Sequence, residues 1–147
     1  IESSEILNRH EATRPSIFCK INLNGTFLSL LTIHPPTPMS RAKFANRNKN
    51  FTQSAKIIKE AKEPKLLIGD LNTTMWSPYF SDLVQDSGLR DVRIGNGLKT
   101  SWIAFFPSIF RIAIDHCLIS EKIEVETIEI GDSTGSDHLP LIVNLKI

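Results

Sequence analysis

Residues 17–33 carry the clearest alternation in the chain. Ile17, Cys19, Ile21 and Leu23 alternate with Phe18, Lys20 and Asn22, and a second apolar-rich run follows from Thr26 to Ile33. Period-2 patterning predicts strands. Asn24-Gly25 between the runs is the pair that best tolerates the positive φ angles of a two-residue type I′ turn, so the two form a hairpin. The dozen residues before it mix polar and apolar positions without a period and are expected to be irregular or an edge segment. The second strand must stop at His34-Pro35-Pro36-Thr37-Pro38, because proline has no amide to donate to a ladder.

Helical spacing takes over next. Ser40 can cap a helix from Arg41, and Phe44, Phe51, Ala55, Ile58 and Ala61 recur at three- and four-residue steps with one double step. The run Asn46-Arg47-Asn48-Lys49-Asn50 argues against an unbroken helix there, since asparagine is a poor interior former. Lys65–Gly69 after Pro64 is short and apolar, the mark of a central strand covered on both faces. Strand, helix and strand in this order imply a crossover. Ser77-Pro78 supplies an N-cap and a first-turn proline for a short helix with Phe80, Leu83 and Val84 as its buried stripe, ending at Gly88. After a loop through Gly95-Asn96-Gly97 and Thr100-Ser101-Trp102, strands are predicted at 112–119 and 123–130. In the last strand Leu139, Leu141, Val143, Leu145 and Ile147 share one face. The class is mixed α/β.

Length and composition narrow this little. A chain of 147 residues suits one domain, 1–147, and a net charge of +1 carries no global argument for nucleic acid or membrane. The charge is uneven, with Arg41, Lys43, Arg47, Lys49, Lys56, Lys59, Lys62 and Lys65 in one region and Glu121, Glu124, Glu126, Glu129 and Asp132 in another. Both read first as solvated faces, the basic one alternatively as a surface that steers a phosphorylated substrate. Cys19 and Cys117 each sit in an apolar run, as reduced buried thiols do, and neither a disulfide framework nor a zinc site is indicated. No apolar run nears the ~18 residues that span a bilayer, so no membrane contact is expected within the segment. The opening Ile1-Glu2-Ser3 has no initiator Met and no leader pattern, and reads as a piece of something longer. The cytoplasm is the favoured compartment, with an upstream anchor or signal left open.

The polar residues fall at strand ends. His34 follows a strand, Asp70 and Asn72 follow another, Asp115 lies within one, and Asp137-His138 precede one. The end of one strand and the start of an antiparallel neighbour share a sheet edge, so these groups can line a single cleft. Asp70 and Asn72 are also ordinary turn formers. Asp115, next to an apolar strand, needs a partner to offset desolvation. His116 should point to the opposite face from Asp115 as a structural residue, and Asp132 to the surface. An imidazole held by a carboxylate can contact a phosphoryl oxygen. A further carboxylate can hold a hard cation, and an Asp beside an Asn can aim and activate water. The set suits metal-assisted hydrolysis of a phosphate ester and not a closed zinc site.

The strings Thr32-Ile33-His34, Gly69-Asp70-Leu71-Asn72, Ile114-Asp115-His116 and Gly135-Ser136-Asp137-His138-Leu139-Pro140 resemble, in order, the motifs of the endonuclease/exonuclease/phosphatase superfamily. Trp76-Ser77-Pro78-Tyr79-Phe80 and Ser87-Gly88-Leu89-Arg90-Asp91 are similar to tracts of its bacterial members, while Leu71 stands where the family usually has Phe. The resemblance implies part of a four-layer α/β sandwich, two packed mixed sheets flanked by helices, with this chain as its C-terminal portion. It implies a Mg²⁺- or Mn²⁺-dependent phosphoesterase acting on a phosphate ester, nucleic acid among the candidates. Asp70 would be the water-activating base and Asn72 would orient it and bind phosphate. His34 and His138 would bind the scissile phosphate, Asp115 would orient and charge His138, and Asp137 would be a metal ligand.

Family members are longer, and their upstream half supplies an Asn and a metal-binding Glu. Glu63 cannot replace that Glu, because the intervening strand would put it roughly 20 Å from Asp70. The last strand would then lack a pairing partner and show an apolar face, which a homodimer could cover. The fragment itself is expected to be inactive or weak. The competing reading is a noncatalytic binding or scaffold module, against which stand the intact Asp70, Asn72, Asp115, Asp137 and His138.

Overall fold

The computed structural model of the protein describes residues 1–7 and 14–147. Its elements run β1 (Ser3–Leu7), β2 (Ser16–Leu23), β3 (Thr26–Thr32), α1 (Arg41–Glu60), β4 (Lys65–Asp70), α2 (Pro78–Ser87), β5 (Arg90–Asp91), β6 (Asp115–Ile119), β7 (Glu124–Ile130) and β8 (Leu141–Lys146). Six strands form one sheet in the order β1-β2-β3-β4-β6-β5, and β7 and β8 form a second. The first sheet is antiparallel except at β3–β4, which the α1 crossover makes parallel. The predicted irregular start is in part the edge strand β1, and the rest of that stretch lies outside the described residues.

Alternation along the central strands sorts two cores. Leu67 and Leu118 pack with Phe51, Ala55 and Ile58 of α1 and Phe80 and Leu83 of α2. Leu66, Cys117 and Ile119 turn the other way, toward Ile128 and the half-buried Leu141, Val143 and Leu145. The chain is therefore layered: helices, large sheet, small sheet. Cys19 and Cys117 are both free and buried, and burial pushes the Cys117 thiol up to about 12. The hairpin turn is as predicted, with Asn24 at φ 52° and Gly25 at φ 96°. Lys65 leaves the basic face, its side chain buried and its ammonium donating to the Lys59 carbonyl at 3.2 Å.

Three expectations need correcting. Helix α1 runs unbroken through the asparagine-rich stretch. Asn50 is buried there and accepts a hydrogen bond from Ser54 Oγ at 3.3 Å, and packing on α2 and the sheet outweighs propensity. Ser77 occupies the cap position of α2, but its side chain makes no capping bond, and Phe80 and Ser81 donate to its carbonyl instead. Strand β8 ends at Lys146, so Ile147 is 45% exposed and does not join the half-buried face of Leu141, Val143 and Leu145. Among the described residues β8 pairs with β7 alone. No helix of the described residues is long and apolar enough to cross a membrane.

Candidate active site

Gly69 sets the geometry at the end of the parallel pair. A Cβ on it would lie 1.8 Å from the Ile33 carbonyl oxygen, so only glycine lets β4 pass this close to the end of β3. The next residue of each segment then meets the other: His34 Nε2 stands 3.4 Å from Asp70 Oδ2. Asp70 lies opposite Asp115 in the antiparallel β4–β6 register. Two carboxylates across a ladder repel unless a cation or donor comes between, and His138 provides it. Its Nδ1–H donates to Asp115 Oδ2 at 2.8 Å, and its Nε2 stands 3.9 Å from Asp70 Oδ2.

Asn72 adopts the left-handed backbone region at φ 49°, which asparagine tolerates. That turn aims its N–H at Asp70 Oδ1, 2.8 Å away, while its side-chain amide donates to Asp70 Oδ2 at 3.3 Å and to the Pro35 carbonyl at 3.0 Å. Asp137 is exposed, and Trp102 Nε1 donates to its Oδ2 at 3.2 Å. A cavity of about 550 Å³ opens over these groups, lined among others by His34, Asp70, Asn72, Trp102, Asp137 and His138. Five of the six residues predicted for the site line this cavity, and Asp115 joins them through its hydrogen bond with His138. Glu63 lies at the far end of β4, 3.9 Å from Lys122, away from it.

The protonation balance follows from these contacts. Burial pushes the Asp70 carboxyl above its ordinary value, partly opposed by the hydrogen bond from the Asn72 backbone. Burial and the Arg14 guanidinium push the His34 imidazole down. Burial also opposes charge on His138, but the Asp115 hydrogen bond and the charges of Asp115, Asp70 and Asp137 outweigh it and hold its pKa above the ordinary value. The cleft thus pairs a histidine disposed against carrying a proton with one disposed to carry it.

Several supporting residues escaped the sequence. Ser101 Oγ donates to Asp115 Oδ2, the same oxygen that accepts from His138. Arg14 Nη1 lies 2.6 Å from His34 Nε2. Arg47 is buried, donates to the Asn72 carbonyl at 3.0 Å, and stacks its guanidinium over Phe44 at 4.8 Å and Phe51 at 5.6 Å. It fills the double step between Phe44 and Phe51 in the apolar repeat, a gap that could have marked it. His116 is structural as expected. It is 2% exposed, packed on the Phe80 ring, with Nε2–H donating to the Thr73 carbonyl at 2.9 Å and Nδ1 3.2 Å from Arg93 Nη1.

Residues 1–138 match the model of the endonuclease/exonuclease/phosphatase family. The chain belongs to that family. No curated protein matches it. Solved structures that share the fold include three with TM-scores of 0.72 to 0.75. A family protein from Bacteroides vulgatus has TM-score 0.73 and 17% identity, over 91% of this chain and 56% of that one. A mannosyl-6-phosphatase from Bacteroides thetaiotaomicron has TM-score 0.72 and 18% identity, over 99% of this chain and 65% of that one. D. rerio TDP2 complexed with a single-strand DNA product has TM-score 0.75 and 17% identity, over 99% of this chain and 67% of that one. This family chain therefore spans between about half and two thirds of each neighbour. Part of the endonuclease/exonuclease/phosphatase architecture, the large sheet, its helices and a second sheet, is present in it.

Proposed function

We propose that this chain carries the larger share of a phosphoesterase site that hydrolyses a phosphodiester or phosphomonoester by in-line attack of water. Residues 1–147 would form one domain, the C-terminal portion of the family's. The observation that carries the reading is the grouping of two imidazoles about one carboxylate, at 3.4 and 3.9 Å from Asp70 Oδ2. Asp70 takes a proton from the attacking water as its oxygen bonds to phosphorus and the bond to the leaving oxygen breaks. Its upward-shifted pKa moves it toward the range in which a base works near neutrality. Asn72 fixes the orientation of that carboxylate. His34 and His138 donate to phosphoryl oxygens, and Asp115 keeps His138 turned and charged as negative charge develops. The leaving oxygen collects its proton from solvent.

The donor set fits part of a cation site. Asp137 offers one exposed carboxylate, a hard oxygen ligand of the kind Mg²⁺ or Mn²⁺ takes while keeping several waters. Among the described residues no group of three or more His, Cys, Asp or Glu is placed to cage an ion, so this chain supplies one ligand of a larger set. Such a cation would contribute Lewis-acid polarisation of the phosphoryl group. The neighbours named for a sugar-phosphate phosphatase and for a DNA complex support either a small phosphate ester or a nucleic acid as substrate.

The test is hydrolysis of bis-p-nitrophenyl phosphate and p-nitrophenyl phosphate with Mg²⁺ or Mn²⁺, by this chain and by the longer protein that contains it. The expected result is turnover by the longer protein and little or none by residues 1–147. Equal activity in the two would show that the site needs no ligand from outside this chain. Inactivity of the longer protein on every phosphate ester would favour the scaffold reading.

A further inference from the structure

Arg47 carries a charge that its packing does not need. It is 5% exposed, and its guanidinium lies over three rings, Phe44 at 4.8 Å and Phe51 at 5.6 Å on α1 and Tyr79 at 5.9 Å on α2. Among the described residues no carboxylate pairs with it. Taking an unpaired cation out of water is costly, and contacts with aromatic faces offset only part of that. A methionine would fill the same aromatic slot without the cost.

What its N–H groups hold accounts for the charge. Nε and Nη2 both donate to Asn48 Oδ1, at 3.1 and 2.9 Å, which together with the rings fixes the plane of the group. Nη1 then donates to the Asn72 carbonyl at 3.0 Å. Asn72 is the residue whose backbone N–H meets Asp70 Oδ1 at 2.8 Å and whose side-chain amide meets Oδ2 at 3.3 Å. It does so from φ 49°, a region that strains a non-glycine residue and persists only where the surroundings over-determine it. The bond from its side chain to the Pro35 carbonyl at 3.0 Å is one such restraint, and the bond from Arg47 is another.

We propose that Arg47 is a positioning residue for the cleft: by clamping the Asn72 carbonyl from behind, it holds the left-handed turn that aims the Asp70 carboxylate. Its consequence for turnover rests on the phosphoesterase reading; the clamp itself does not. Lysine in its place keeps the charge and a donor but loses the planar fork, and methionine keeps only the packing. A residue that merely filled space would rank the two the other way, because methionine leaves no charge to desolvate.

Amide hydrogen exchange is followed by NMR on the 147-residue chain as wild type, Arg47→Lys and Arg47→Met, without substrate. Measured relative to Leu67 and Leu118 at the centre of the β4–β6 pairing, exchange at the Asn72 N–H should quicken at least about tenfold in Arg47→Met and by less in Arg47→Lys. In a longer protein containing this chain, Arg47→Met should lower kcat by about tenfold or more with KM kept within about threefold, and Arg47→Lys should recover part of the loss. Should Arg47→Met lose its native circular dichroism, Arg47→Lys alone carries the test and should still exchange faster at Asn72 than the wild type. Asn72 exchange that stays unchanged relative to the core, or is protected as well by methionine as by lysine, would overturn the proposal. So would a loss of turnover in Arg47→Met with Asn72 exchange unchanged. A longer protein that hydrolyses no phosphate ester would refute the phosphoesterase reading instead, and the exchange ranking would still decide the clamp.

Discussion

Consecutive residues of β6, Asp115 and His116, each join an imidazole to a carboxylate, yet the two pairs are built for opposite ends. Asp115 faces the cleft and holds His138 by one nitrogen at 2.8 Å, leaving Nε2 directed at Asp70 and at whatever enters. His116 faces the helices and has both nitrogens engaged, by the Thr73 carbonyl and by Arg93, with Asp91 3.7 Å away. The same two functional groups thus give an open pair where one nitrogen is spare and water can reach it, and a brace where none is. Burial and unspent hydrogen-bonding capacity separate them together: the His116–Asp91 side chains are 0% and 5% exposed, the His138–Asp115 side chains 26% and 22%.

The buried pair should show the larger stability effect when broken. Asp91→Ala leaves the Arg93 guanidinium uncompensated in a site only 3% exposed and should cost about 3–5 kcal/mol in urea unfolding. Its pH dependence has a definite sign. Burial alone would raise the Asp91 carboxyl, but the His116 and Arg93 contacts outweigh it and hold it below the ordinary carboxylate value. The stability it contributes is therefore fully present above that ordinary value and lost as pH falls through the depressed one. Asp91→Asn should flatten this acid limb; an unchanged limb would mean that Asp91 is not the group responsible.

Breaking the open pair should act on rate instead. Under the proposed function, Asp115→Asn in a longer protein containing this chain should lower kcat/KM by about a hundredfold, ~2.7 kcal/mol on the barrier, because His138 loses the charge that favours its imidazolium. The stability change should stay near 1 kcal/mol, as for a partly exposed pair. A large loss of stability with rate retained would reverse the roles assigned to the two pairs.

Much of this contrast was legible in the residues, and the rest failed for identifiable reasons. Alternation along β6 alone puts Asp115 and His116 on opposite faces. The Asn24-Gly25 turn and the crossover through α1 follow from local chemistry. Motif order singled out His34, Asp70, Asn72, Asp115, Asp137 and His138, which the structure places near one another, five of them lining one cavity. The supporting groups come from non-local pairing. Ser101 and Trp102 reach Asp115 and Asp137 only because Trp102 bridges Ile112 and His138 across intervening loops. Arg14 meets His34 where the β2–β3 hairpin register, Ile17 opposite Thr32, extends beyond the strands, a pairing the Asn24-Gly25 turn already implies. Arg47 was hidden by its charge: a guanidinium in an aromatic cage occupies a core position of α1 that the pattern of apolar residues leaves blank.

The central claim is that an unspent imidazole nitrogen at the cleft, and not the presence of a His–Asp pair, makes the site. The most direct measurement compares His138→Ala and His116→Ala in the longer protein, with kcat determined per folded molecule and unfolding free energy determined in parallel. The account predicts a loss of about 10²–10⁴ in kcat for His138→Ala at nearly unchanged stability. For His116→Ala it predicts a drop of several kcal/mol in stability, about 3–5, with kcat of the folded fraction kept within about tenfold. Full activity in His138→Ala, or a His116→Ala protein that is stable and inactive, would contradict it.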